Sequence, residues 1–92
     1  MALVVMTRPH QLEGGGVEIE ASLLVTKTIA AGLKANPAHV QECLREAEAT
    51  MNTEALKRRR IVNGTPRLYE VRNSAISADH VELMFRAPTR AV

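Results

Sequence analysis

One amphipathic segment, which begins at Asn36-Pro37, constrains the fold of this 92-residue chain more than any other feature. The residue before a proline avoids helical backbone, whereas proline is favoured in a first turn, so a helix should begin at Pro37 with Asn36 as its N-cap. Apolar residues then recur at spacings of four, three and four, at Val40, Leu44, Ala47 and Met51. This stripe predicts a helix that either continues through residues 56–58 or breaks at Asn52-Thr53.

Patterns typical of strands and turns precede this helix. Residues 2–7 form a short apolar run that Pro9 closes, which favours a strand. The triplet Gly14-Gly15-Gly16 predicts a flexible turn or hairpin loop, or a hinge that lets the first strand swap to another subunit. Residues 17–25 alternate apolar and polar side chains as a half-buried strand does, but they also fit a helical stripe, so both remain open. The chain should be helical by Ile29.

The C-terminal third reads as a hairpin followed by a last strand. Residues 61–62 and 68–72 are rich in β-formers and flank Asn63-Gly64, the dipeptide that favours a tight type I′ turn. Residues 74–80 resemble a loop or one helical turn, and residues 81–85 form a final strand before a polar tail. We therefore expect an α+β fold, with a two-helix core, a basic β-hairpin and short N- and C-terminal strands.

Size and composition place these elements in one domain, residues 1–92. The chain has one Phe, one Tyr and no Trp, which predicts an aliphatic core. Cys43 has no cysteine to pair with, and no apolar stretch reaches the roughly 20 residues that span a bilayer. Because the start of the chain also lacks a signal-peptide pattern, we expect a cytoplasmic protein.

Charge is distributed unevenly along the chain. Residues 1–56 carry four basic and seven acidic side chains, whereas residues 57–92 carry eight basic and three acidic. The second group begins with the uninterrupted run Lys57, Arg58, Arg59 and Arg60. Such a run can attract phosphate or an acidic partner, or it can be an ordinary solvated face.

Residues 26–45, TKTIAAGLKANPAHVQECLR, resemble the helix-turn-helix core of phage and bacterial repressors. Ala30 stands where that family needs a small residue between its two helices, although Lys34 replaces the usual turn glycine and Gly32 lies two residues early. Apolar residues stand at the positions that fix the helix crossing, namely Leu33, Val40 and Leu44. The following segment, LKRRRIVNGTPRLYEV, resembles the basic wing of winged-helix proteins, so the two resemblances cover residues 26–72.

The resemblance implies a small transcription regulator, a repressor-like homodimer that binds double-stranded DNA. In such a protein, basic side chains of the wing contact phosphates, here Lys57, Arg58, Arg59, Arg60 and Arg67. Exposed side chains of the second helix read bases in the major groove, here Asn36, Gln41, Glu42 and Arg45.

Two other hypotheses remain open. A non-enzymatic protein-interaction module, such as an inhibitor or adaptor of phage or plasmid origin, could use residues 3–6 or 81–85 as unpaired edges. A two-layer fold, with three or four strands in one sheet covered by both helices, would make residues 57–60 a connector. His10, His39, His80 and Cys43 show no metal-ligand spacing, and we expect no cofactor and no catalytic site.

Overall fold

The computed structural model describes residues 3–32 and 37–92, which form five strands and two helices. In chain order these are β1 (Leu3–Gln11), β2 (Val17–Thr26), α1 (Lys27–Gly32), α2 (Pro37–Lys57), β3 (Arg60–Val62), β4 (Arg67–Asn73) and β5 (His80–Ala91). The expected α+β class is confirmed. Neither of these helices has the length and apolar character needed to cross a bilayer.

The strands form one antiparallel sheet, in which β5 pairs with three other strands. One side of β5 pairs with β2, which pairs in turn with β1. The other side of β5 pairs with β4 along residues 81–86 and with β3 along residues 89–91. Thus β3 and β4 lie end to end along one edge of the sheet, and β1 forms the opposite edge.

The predicted hairpin between β3 and β4 is wrong. Both strands run antiparallel to β5, so the chain continues in one direction through Asn63-Gly64 instead of reversing. A type I′ turn needs positive φ at both central residues, but only Gly64 has it, at 131°, and the Asn63 N–H donates to the Pro88 carbonyl at 2.8 Å. β3 and β4 each pair with the long β5 strand and not with each other. No wing is formed.

Residues 17–25 are strand, which settles the alternative that the sequence left open. β2 is buried on both faces, so its helix-like stripe reflects general apolar content and not helical periodicity. The prediction of helix by Ile29 is confirmed, since α1 begins at Lys27 and the Ile29 N–H donates to Thr26 Oγ1 at 3.2 Å. However, α1 has only six residues, and the predicted turn at residues 33–36 lies outside the described residues, so no helix-turn-helix is shown.

One face of the sheet packs against the helices to form the core. α2 begins at Pro37 as predicted, and residues spaced by four form its buried stripe, namely Cys43, Ala47, Met51 and Ala55. Leu44 is only partly buried, while Ile29 and Ala30 of α1 pack against the same core. Opposite lie alternate residues of β2 and β5, namely Ile19, Ala21, Leu23, Val25, Val81, Leu83, Phe85 and Ala87. The core is aliphatic apart from Phe85. The architecture is close to the two-layer alternative, except that the sheet has five strands and that Arg60 belongs to β3.

The terminal strands are longer than predicted. β1 continues through Pro9, which an edge strand tolerates because one of its two sides needs no ladder donor. β5 runs to Ala91 because its last residues pair with β3. The glycine triplet lies, as predicted, in the turn between β1 and β2, where the Leu12 N–H donates to the Gly16 carbonyl at 2.7 Å.

Candidate nucleic-acid interface

Four of the predicted phosphate-binding residues lie together at the C-terminal end of α2. The helix ends at Lys57, and the Arg59 N–H still reaches the Leu56 carbonyl at 3.0 Å. Arg59 then adopts a left-handed backbone with φ of 55°, after which Arg60 opens β3. Lys57, Arg58 and Arg59 are exposed and Arg60 is half-buried. We call residues 57–60 the basic end.

The cations of the basic end differ in the ion pairs and hydrogen bonds that their side chains form. Arg58 Nη1 lies 2.6 Å from Glu54 Oε1, and Lys57 Nζ lies 3.7 Å from the other oxygen of the same carboxylate. Arg60 Nε donates to Thr89 Oγ1 at 2.7 Å, which ties its side chain to β5. Arg59 makes no ion pair with any described residue. The Glu54 carboxylate therefore pairs with two of the three exposed cations, which leaves a net positive surface.

Arg67 does not join this group. Its guanidinium pairs with the Glu18 carboxylate at 2.8 Å between Nη1 and Oε2. Glu18 lies on the side of β2 opposite to Ile19, whose side chain is in the core beneath α2. Arg67 is therefore on the face of the sheet away from the helices, whereas the basic end is at the tip of a helix.

The residues predicted to read bases lie along α2, away from the basic end. Gln41, Glu42 and Arg45 are exposed, and Asn36 lies outside the described residues. Sixteen residues separate Gln41 from Lys57, which is roughly 24 Å of helix. The predicted base-reading side chains on α2 therefore lie roughly 18 to 24 Å along the helix from Lys57.

A polar cluster that the sequence reasoning missed occupies the other face of the sheet. Glu20 has a side chain with 0% exposure, and it accepts from Arg8 Nε at 2.7 Å, Arg86 Nε at 2.6 Å and the Tyr69 hydroxyl at 3.1 Å. The Arg86 guanidinium also stacks 4.0 Å from the centre of the Tyr69 ring. Arg8, Glu20 and Arg86 are direct neighbours in the register across β1, β2 and β5.

This cluster keeps Glu20 ionised. Burial alone would raise the pKa of Glu20, but the hydrogen bonds from Arg8, Arg86 and Tyr69 outweigh it and lower the pKa to about 2. Burial and the charge of Glu20 raise the pKa of Tyr69. A carboxylate with three donors and so low a pKa does not exchange protons near neutrality. Its hydrogen bonds link four strands, β1, β2, β4 and β5. The alternation of β2 indicated a solvated Glu20, and only long-range pairing reveals its partners.

Cys43 lies in the core and His80 at the start of β5. Cys43 is buried, and burial, followed by the charges of Glu46 and Glu42, raises the pKa of its thiol. His80 Nδ1 lies 2.9 Å from Ser77 Oγ within the turn before β5. Within residues 3–32 and 37–92, no group of three or more His, Cys, Asp or Glu side chains could hold a metal ion.

No family model, curated protein or solved structure matches this chain. Its function therefore has to be argued from the geometry and charge of its own surface.

Proposed function

We propose that this protein binds the phosphate backbone of double-stranded DNA through the basic end. The observation that carries the proposal is the cluster of three exposed cations at one helix terminus. Glu54 forms ion pairs with two of them, and the Arg59 side chain forms none among the described residues. Lys and Arg side chains in such a position neutralise phosphates and release condensed counterions. The proposal includes no catalytic step.

The expected affinity is modest and strongly dependent on salt. Arg60 is held by Thr89, so Lys57, Arg58 and Arg59 are the three side chains that can turn towards phosphates. Three such contacts give a slope of about −2.7 in a plot of log affinity against log salt concentration. This slope is the quantity that distinguishes phosphate contact from other kinds of binding.

Base readout by α2 receives less support from the geometry than backbone contact does. Gln41 and Arg45 are exposed, but the surface of the same helix also carries Glu42 and Glu48. These carboxylates repel phosphates that approach the helix closely. A Gln41→Ala variant tests readout directly, because it should change the preference among duplex sequences without changing the salt slope.

The main experiment is a fluorescence titration of a labelled duplex at several salt concentrations. The test variant replaces Lys57, Arg58 and Arg59 by glutamine. The control variant makes the same change in net charge elsewhere, by replacing the exposed residues Lys27 and Gln11 by glutamate. Circular dichroism should show that both variants retain the fold.

The test variant should lose at least about tenfold in affinity at low salt, and its slope should fall towards zero, whereas the control should stay within about twofold of the parent. The proposal is wrong if the parent protein fails to bind duplex at low salt. It is also wrong if the two variants lose affinity equally, since binding would then follow net charge and not the basic end.

A non-enzymatic protein-interaction module is the second candidate, and an edge strand favours it. The suggestion that residues 81–85 form an unpaired edge is wrong, because β5 pairs with β2 on one side and β4 on the other. Residues 3–6 do lie in an edge strand, β1. The edge formed by β4 carries exposed apolar side chains and is the stronger candidate for a protein contact.

A further inference from the structure

β4 forms an edge of the sheet that the helices leave uncovered. Its inner side pairs with β5, and its outer side pairs with no strand in residues 3–32 and 37–92. α2 packs over β1, β2 and β3, and α1 packs over β2 and β5, so neither packs extensively on β4. An unpaired edge presents backbone donors and acceptors that another strand can use.

Two of the β4 side chains on the helix side of the sheet are apolar and exposed, and the third, Asn73, is polar and exposed. Leu68 and Val71 pair across the ladder with Phe85 and Leu83, whose side chains are in the core, so all four point to the helix side. Leu68 is nevertheless 43% exposed and Val71 53% exposed. Ile76, in the loop that follows β4, is 69% exposed. These side chains lie next to the core, but neither α1 nor α2 covers them.

The opposite edge is less suited to accept a strand. β1 contains Pro9, which lacks a backbone donor, and its pairing with β2 is irregular between Val4 and Met6. β4 has no proline between Arg67 and Asn73, and its own irregularity lies between Leu68 and Glu70. Residues 70–73 therefore form a regular segment at the edge.

We infer that β4 pairs with β4 of a second copy of this chain, antiparallel and centred on Val71, to form a two-fold dimer with a continuous ten-stranded sheet. This register places Val71 opposite its own copy and Glu70 opposite Arg72, twice by symmetry. A centre one residue earlier would place Glu70 opposite itself, and a centre one residue later would place Arg72 opposite itself. Like charges directly opposite one another are destabilising, so charge selects the Val71 register.

Within one chain the same two residues already form an ion pair, with Arg72 Nε 2.8 Å from Glu70 Oε2. Both side chains are close to half exposed, so they remain accessible to a second copy. Two such pairs related by the two-fold axis would form a ring of alternating charges on the face away from the helices. On the helix side, the two copies of Val71 would lie opposite one another and shield each other from water.

The experiment measures the mass of the purified protein by light scattering and sedimentation across a wide concentration range. The parent chain should shift from the mass of one chain to that of two as concentration rises. Glu70→Arg places arginine opposite Arg72, and Arg72→Glu places glutamate opposite Glu70, so each single variant should dissociate at least about tenfold more readily. Circular dichroism should confirm that each remains folded.

Two combinations of these substitutions test whether residue 70 of one copy lies opposite residue 72 of the other. The double variant Glu70→Arg/Arg72→Glu should dimerise again, and an equimolar mixture of the two single variants should form a heterodimer that neither forms alone. Glu42→Arg, an equal charge reversal on α2, should leave the mass unchanged. A parent chain that stays monomeric at millimolar concentration overturns the inference, as do single variants that dimerise normally or a mixture that does not associate. This inference is independent of DNA binding.

Discussion

The Glu20 carboxylate, buried between Arg8 and Arg86, should make the stability of this protein depend on pH well below neutrality. Its pKa is about 2 in the folded chain, against an ordinary value of 4.5. The unfolded chain therefore binds more protons than the folded one between these two values. Stability from this group is fully present above about pH 4.5 and is lost as the pH falls towards 2.

The size of the effect follows from the shift. One pKa unit corresponds to about 1.4 kcal/mol, so the shift of Glu20 amounts to about 3 kcal/mol as an upper limit. Arg8 is 58% exposed, and water screens its part of the interaction. We therefore expect Glu20→Gln to lower the free energy of unfolding by about 2 to 3 kcal/mol at pH 7. For a domain of this size the midpoint of thermal unfolding should fall by about 10 to 20 °C.

The assay is urea unfolding followed by circular dichroism, repeated from pH 7 to pH 2.5, for the parent, Glu20→Gln and a control. Glu13→Gln is a suitable control, because Glu13 is exposed in the turn between β1 and β2. The parent and control should lose stability steeply below pH 4.5, and Glu20→Gln should show a shallower dependence. The reasoning is refuted if Glu20→Gln is as stable as the control at pH 7, or if all three curves have the same slope.

Three further predictions concern single positions. Arg59→Gly should raise the free energy of unfolding by about 0.5 to 1 kcal/mol in urea titrations, because glycine adopts the φ of 55° without the penalty of a β-carbon; a decrease would contradict this. Ser22→Ala should be neutral or stabilising by up to about 1 kcal/mol, since Ser22 Oγ is buried without a hydrogen-bond partner among the described residues; a loss above that size would reveal a missed partner. Alkylation of Cys43 by iodoacetamide at pH 7 should be slow in the folded chain and fast in urea, because burial raises the pKa of its thiol; equal rates would show that the site is open.

Local signals located most elements but not their pairing. The helix start at Pro37 and the turn at residues 14–16 depend on backbone preferences that neighbouring residues set, and both were predicted from sequence. Asn63-Gly64 also has a strong local preference, yet the structure overrides it, because β5 is long enough to pair with both flanking strands. The full length of β5 could not be predicted, because its last residues resemble a polar tail.

In the candidate site, too, local features could be predicted from the sequence, whereas features that depend on strand pairing could not. The basic run at residues 57–60 is contiguous in sequence, so its clustering could be predicted without a fold. The position of Arg67 could not, because it depends on which face of β4 carries that side chain and on its pairing with Glu18. Glu20 resembled a solvent-facing residue of a half-buried strand, and its burial follows only from the central place of β2.

Together, the two proposals set a length requirement for the DNA. In the register of β5, Arg60 lies opposite Ala91 and Val71 opposite Leu83, a separation of eight residues or roughly 26 Å along the strand. A two-fold axis through Val71 therefore places the two basic ends roughly 50 Å apart, which is about 15 base pairs of duplex. A 10-base-pair duplex should engage one basic end, and a 25-base-pair duplex should engage both, with a salt slope about twice as steep. Glu70→Arg, which prevents pairing, should give the single-end slope on both duplexes. Equal slopes for the parent on the two lengths would show that the basic ends do not act on one duplex through this dimer.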